Sequence, residues 1–349
     1  MQHYSIAGRA IGPGEQPYVI AELSGNHNGE IKRALELIDA AADAGADAVK
    51  LQTYTADTIT IDHDGEGFVI KGGLWDGRRL YELYQEAHTP WAWHEQLFAH
   101  AKSRGLHCFS SPFDSTAIDF LETLHAPAYK IASFEIIDLP LIRKAAATRK
   151  PLIISTGMAN DAEISEAVEA ARSAGNGGIT LLHCVSGYPT PYEDINLARI
   201  KWLADRHDCA IGLSDHTLGI AVPIAAVALG AVLIEKHMTL ARADGGPDSA
   251  FSLEPAEMKQ MIDGVRVAFA AIGKADYGRT ESEAGNVIFR RSLYAVADIA
   301  AGEPLTEGNV RSIRPGFGML PKFLPDVLGR RAKVDIPRGT PLEMDLIAK

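Results

Sequence analysis

The chain has 349 residues, 46% hydrophobic and 23% charged, and its 34 basic and 45 acidic side chains leave a net charge of −11. That length exceeds one small domain and suits a (β/α)8 barrel with a modest extra module. The acidic balance argues against a nucleic-acid partner, which needs a basic face, and no apolar run approaches the ~20 residues of a membrane span. No basic stretch followed by an apolar one opens the chain, so no secretory signal is expected. Cys108, Cys184 and Cys209 are scattered without CxxC spacing and read as reduced thiols of a cytoplasmic protein.

In chain order, short β-rich runs alternate with helical periodicity, the signature of parallel βα units. The predicted strands are YVIAE (18–22), AVKLQ (48–52), HCFSS (107–111), YKIAS (129–133), LIIST (152–156), ITLLHC (179–184), AIGLSD (210–215) and VLIEKH (232–237). Between them, EIKRALELIDAAADAGA and DAEISEAVEAARSAGN repeat Ala, Leu and Ile every three or four residues and end at Gly. Eight strands close a TIM barrel. A helix around EPAEMKQMIDGVRVAFAAIG ends this domain, assigned to residues 1–275. Residues 276–349 hold short strands broken by AGEPL, RPG and PRGTPL turns, which predicts a small β-rich module.

The strand ends are polar: Glu22, Lys50 with Gln52, Ser110 with Ser111, Lys130 with Ser133 and Glu135, Ser155 with Thr156, His183, Ser214-Asp215-His216 and Glu235-Lys236-His237. An unpaired buried polar group costs about 1–3 kcal/mol, so such ends point to a shared cavity at the barrel's carboxyl face. His216 and His237 end neighbouring strands, ~4.8 Å apart in a sheet, with Glu22 on the strand that closes the barrel next to them. Two imidazoles and a carboxylate with open positions suit an octahedral divalent ion such as Mn²⁺, with Mg²⁺ or Co²⁺ as substitutes, over a structural zinc. Lys50 and Lys130 read either as Schiff-base nucleophiles or as clamps for an anion. The hydroxyls of Ser133, Ser155, Ser186 and Ser214 on the same rim favour a phosphate and carboxylate site. Asp248, behind Gly245-Gly246-Pro247, suits sugar hydroxyls. The second loop carries Trp75, Tyr81, Tyr84, Trp91 and Trp93, which could face a sugar ring or pack on the barrel.

The chain also resembles the sialic acid synthase family. The motifs that carry the likeness are AELSGNHNG (21–29), KLQTY (50–54), KIASFE (130–135), STGM (155–158), HCVSGYPTPYED (183–194), GLSDHT (212–217), IEKHMTL (234–240) and GGPDSAFSLEP (245–255), with FRRSLY and SIRPGFG in the tail. Ser186, where relatives commonly carry Asn, the KGGLWDGRRLYELYQEAHTPW loop and FRRSLY look like the pseudaminic branch. The resemblance implies a synthase barrel followed by an SAF (antifreeze-like) domain, and a domain-swapped homodimer. It implies phosphoenolpyruvate and an acylamino sugar as substrates, joined without a Schiff base and with C–O cleavage of the phosphate. By the same resemblance His216 and His237 hold the metal with Glu22 close by. Lys50, Lys130, Ser133, Ser155, Ser186 and Ser214 grip phosphoenolpyruvate, and Arg314 reaches in from the partner subunit. Gln52, Glu135, Tyr188 and Asp248 face the sugar.

Overall fold

The computed structural model describes residues 3–175 and 177–348. Eight parallel strands form a closed barrel, as the sequence pattern predicts. They are β1 (Tyr18–Glu22), β2 (Ala48–Thr53), β3 (His107–Pro112), β4 (Tyr129–Ile131), β5 (Leu152–Ser155), β6 (Ile179–Cys184), β7 (Ala210–Asp215) and β8 (Leu233–His237). β8 pairs with β1, which closes the ring.

Side chains alternate between the two faces of each strand, and the core splits accordingly. Val19, Ala21, Val49, Leu51, Leu213 and Ile234 point outward and pack against the helices. Tyr18, Ile20, Ala48, Phe109, Ile153, Leu182 and Leu233 fill the lower lumen. The helix Ile31–Ala44 buries Ala34, Leu37, Ile38, Ala41 and Ala44, a single stripe at three- and four-residue spacing. Gly45 ends it in the left-handed conformation (φ 89°), which a side chain would strain. Asp161–Ala174 begins with a capping box between Asn160 and Glu163.

An antiparallel hairpin, Tyr4–Ile6 with Arg9–Ile11, precedes the barrel and has no counterpart in the sequence reading. Its strands are too short for periodicity to show. Ile6 and Ile11 join the lower lumen core, so the hairpin plugs that end.

The chain divides into two compact units after Gly273. The second unit pairs Ser292–Ala295 with Val310–Ile313. Its own core comprises Leu293, Ala295, Ile299, Leu305, Val310, Val327, Ala332, Ile336, Leu342 and Ile347. No helix among the described residues is long and apolar enough to cross a membrane.

Candidate active site

Barrel register assembles the site. Glu22 lies opposite His237 and Lys50, Gln52 opposite Ser111, and Ser214 opposite both Cys184 and Glu235. By the period of two, Lys50, Gln52, Ser155, Ser214, Glu235 and His237 face inward while Leu51, Asp215 and Lys236 face the helices. The inward set lines a cavity of about 530 Å³ at the carboxyl ends of the strands. Lys130, Ser133, Glu135, Tyr188, His216 and Asp248 line it as well.

At the floor, Glu235 is the hub. Its Oε1 accepts from Lys50 Nζ at 2.8 Å, Lys130 Nζ at 3.0 Å and Ser214 Oγ at 3.2 Å. Burial pushes the Glu235 carboxyl up, but the Lys130 and Lys50 ammonium groups outweigh it and hold the acid well below its ordinary range. The sequence reading noted Glu235 only as a polar strand end. Following the alternation from His237 back two residues places it in the lumen.

Glu22, two residues past lumen-facing Ile20, is wholly buried beside Lys50 and Gln52 and does not itself line the cavity. Its Oε2 lies 3.0 Å from Lys50 Nζ, and its Oε1 accepts from Gln52 Nε2 at 3.0 Å and Ser24 N at 3.1 Å. Burial raises its carboxyl to about 7 against the opposing pull of Lys50. It therefore braces Lys50 and Gln52 more directly than it does the histidines.

Several polar atoms at this face are buried without a hydrogen-bond partner among the described residues: Ser111 Oγ, Ser155 Oγ, Glu135 Oε2 and His237 Nδ1. Native interiors rarely leave such groups unsatisfied unless a ligand or water meets them. Gly157 lets two of the serines approach closely. It donates to Ser133 Oγ at 3.2 Å, and a Cβ placed on it would stand 2.6 Å from Ser133 Oγ and nearer still to Ser186 Oγ. Gly157 lies within STGM, where the sequence alone signals no role for it. Ser186 itself is absent from the cavity lining and sits beyond Gly157.

His216 and His237 come together, with ring centroids 5.3 Å apart. His216 Nδ1 donates to the Val185 carbonyl at 3.0 Å, so Nε2 is the nitrogen that a metal would take. Burial, with His216 alongside, holds His237 well below the ordinary imidazole range, whereas at His216 burial is outweighed by Cys184 and the Val185 carbonyl, which hold it above that range. The nearest acid is Asp248, 3.7 Å from His237 Nδ1 and hydrogen-bonded to Ser24. No group of three His, Cys, Asp or Glu among the described residues forms a closed cage. Two adjacent imidazoles, one with an orphaned buried nitrogen, fit a divalent ion whose remaining positions stay open.

Tyr188 packs on His216 at 4.6 Å and on Trp75 at 5.4 Å. The aromatic second loop divides between the two uses that its sequence left open. Trp75 and Tyr84 line the cavity, whereas Trp91 stacks on Phe120 at 4.8 Å and Trp93 meets His27 edge-on. Arg314 lies in the second unit, exposed, directly after its second strand.

A barrel mouth that sets two ammonium groups and unpartnered hydroxyls beside a pair of imidazoles is built to hold an anion next to an electrophile. The chain belongs to the NeuB family: residues 37–277 match that family, and residues 290–348 match the SAF domain. It is 47% identical over 326 residues to the pseudaminic acid synthase of Campylobacter jejuni, covering 93% of this chain and 95% of that one. Identity to the Helicobacter pylori pseudaminic acid synthase is 44%, over 96% of this chain and 99% of the relative. The crystal structure of the Leptospira borgpetersenii N-acetylneuraminic acid synthetase, in complex with citrate, superposes with a TM-score of 0.74 at 31% identity. It covers 82% of this chain and 95% of the other.

Proposed function

We propose that this protein condenses phosphoenolpyruvate with 2,4-diacetamido-2,4,6-trideoxy-altrose and water to give pseudaminic acid and phosphate. Family membership supports the chemistry, and the likeness to two pseudaminic acid synthases supports the sugar. The observation that carries the reading is the anionic berth: Lys50 and Lys130 beside the unpartnered hydroxyls of Ser111 and Ser155, with Gly157 letting the Ser133 hydroxyl pack close by. Such a set of donors matches a small dianion or trianion.

In this reading Lys50, Lys130, Ser133, Ser155, Ser186 and Ser214 bind the carboxylate and phosphate, and Gln52, Glu135, Tyr188 and Asp248 orient the open-chain sugar. His216 and His237 would hold a divalent ion, Mn²⁺ by preference, which when bound supplies Lewis-acid polarisation of the aldehyde. C3 of phosphoenolpyruvate forms the new C–C bond to the aldehyde carbon, and cationic character at C2 is met by water. Glu22 steadies this step through Gln52 and Lys50, and the proton that water releases passes to the alkoxide formed on the aldehyde oxygen. C–O cleavage at the tetrahedral C2 then frees phosphate, whose charge the two lysines stabilise. No lysine forms an imine, because the enol ester is already the nucleophile. A homodimer in which one subunit's SAF domain brings Arg314 to the partner's barrel belongs to the same reading, as does a cytoplasmic setting.

The test is phosphate release by metal-stripped protein given phosphoenolpyruvate, Mn²⁺ and one of three sugars: the altro or manno diacetamido trideoxy sugar, or N-acetylmannosamine. Manganese-dependent release with the altro sugar alone is expected. Release only with another sugar corrects the substrate, and no release with any of them refutes the synthase reading.

A further inference from the structure

The cavity has two unlike sides. Opposite the charged floor, Ile59, Ile70, Trp75, Leu80, Leu83 and Tyr84 of the second loop line it. None of the six carries a charge, and only Tyr84 has a hydroxyl. The Trp75 indole N–H is already committed to the Pro247 carbonyl at 2.9 Å. That bond and the Trp75–Tyr188 contact tie the loop to the eighth loop and the aromatic cluster above His216.

The wall is a built element. Val69 pairs with Arg79, Ile70 N donates to Arg78 O at 2.9 Å, and Leu80 N to Phe68 O at 2.9 Å. Ile70 and Trp75 thus sit on a small hairpin, and Leu80, Leu83 and Tyr84 on the helix Leu80–Ala87 that follows it. Apolar side chains on a fixed frame define a shape, and they offer no partners to hydroxyls set against them.

We propose that this wall is the specificity surface for the sugar. It receives methyl groups, those of the 6-deoxy carbon and of an acetamido group, and selects against sugars that carry hydroxyls there. The inference rests on the reading under Proposed function and names the residues that choose the substrate. Discrimination by an apolar pocket against an added hydroxyl is bounded, on the order of 10²-fold. The manno diacetamido trideoxy sugar carries the same methyl groups, so the wall rejects it less strongly than N-acetylmannosamine.

The experiment compares kcat/KM for the altro diacetamido trideoxy sugar and for N-acetylmannosamine in the wild type, Ile70→Thr and Leu80→Gln. The two positions lie on different elements and are both partly exposed, so a folding defect in one leaves the other to decide. Each folded variant should lose about tenfold with the trideoxy sugar, keep or improve turnover of N-acetylmannosamine, and leave the KM for phosphoenolpyruvate unchanged. An unmoved ratio between the sugars in folded variants overturns the wall while the synthase reading stands. A wild type that releases phosphate with neither sugar overturns both, and one that releases it only with N-acetylmannosamine overturns the wall and corrects the substrate.

Discussion

Lys236 and Asp215 form an ion pair, Nζ to Oδ2 at 2.5 Å, with both side chains wholly buried behind the active site. Lys236 is flanked in sequence by Glu235 and His237, and Asp215 by Ser214 and His216. The pair thus joins β7 to β8 from outside, while the flanking residues face the lumen. Asp215 also accepts from Thr217 N at 3.0 Å and Thr217 Oγ1 at 3.1 Å. Removing one partner of a buried pair leaves a stranded charge and costs about 3–5 kcal/mol, whereas apolar replacement of both is often near neutral. Lys236→Met should therefore lower the urea midpoint sharply, and Lys236→Met with Asp215→Leu should recover most of it. A single variant as stable as the double would show that the charge is not stranded.

His216→Ala and His237→Ala should each abolish saturable Mn²⁺ binding while leaving the far-ultraviolet circular dichroism unchanged. Phosphate release should fall further than the ~10–100-fold typical of losing a group that merely supports a metal ligand. Calorimetric titration with Mn²⁺ checks the first part, and near-wild-type affinity in either variant would remove that histidine from the metal set.

Lys130→Met should raise the KM for phosphoenolpyruvate roughly 10–150-fold, the equivalent of the ~1.5–3 kcal/mol of a hydrogen bond to a charged group. Gly157→Ala acts by occupation instead, since its added methyl collides with Ser133 and Ser186. Its KM for phosphoenolpyruvate should rise while that for the sugar holds. Steady-state kinetics with each substrate varied in turn separates the two.

Glu135 gives a pH dependence of defined sign. Burial raises its carboxyl from 4.5 to about 7, against the pull of Lys130. The folded protein therefore binds a proton there that the unfolded chain releases. Its contribution is fully present below about pH 4.5 and is lost as pH rises through about 7, at up to ~1.4 kcal/mol per pH unit. Glu135→Gln should be more stable relative to the wild type at about pH 8 than at about pH 4.5. Parallel urea titrations at the two values measure this, and equal differences would refute it.

The barrel was legible because its strands are short, apolar and regularly spaced, and because their polar ends have no other use in a buried sheet. His216, His237, Lys50 and Lys130 stood out as charged or titratable groups at those ends. Glu235 was harder to place, since Glu235-Lys236-His237 offers three polar side chains in a row and only strand parity separates the lumen pair from the outward lysine. Gly157 escaped notice because its role is the absence of a side chain. The division of Trp75 from Trp91 and Trp93 depends on how a long loop folds back, which periodicity does not encode. The hairpin at residues 4–11 is too brief to leave any pattern.

That hairpin has a kinetic consequence. Ile6 and Ile11 seal a lower lumen that barrel side chains already fill, so the barrel is a blind well and traffic passes its loop-lined mouth in both directions. Under the proposed assignment of the lysines to phosphoenolpyruvate and Tyr188 to the sugar, the deeper substrate would enter first and phosphate would leave last. Phosphate would then compete with the next phosphoenolpyruvate and not with the sugar, a queue that product-inhibition kinetics would show.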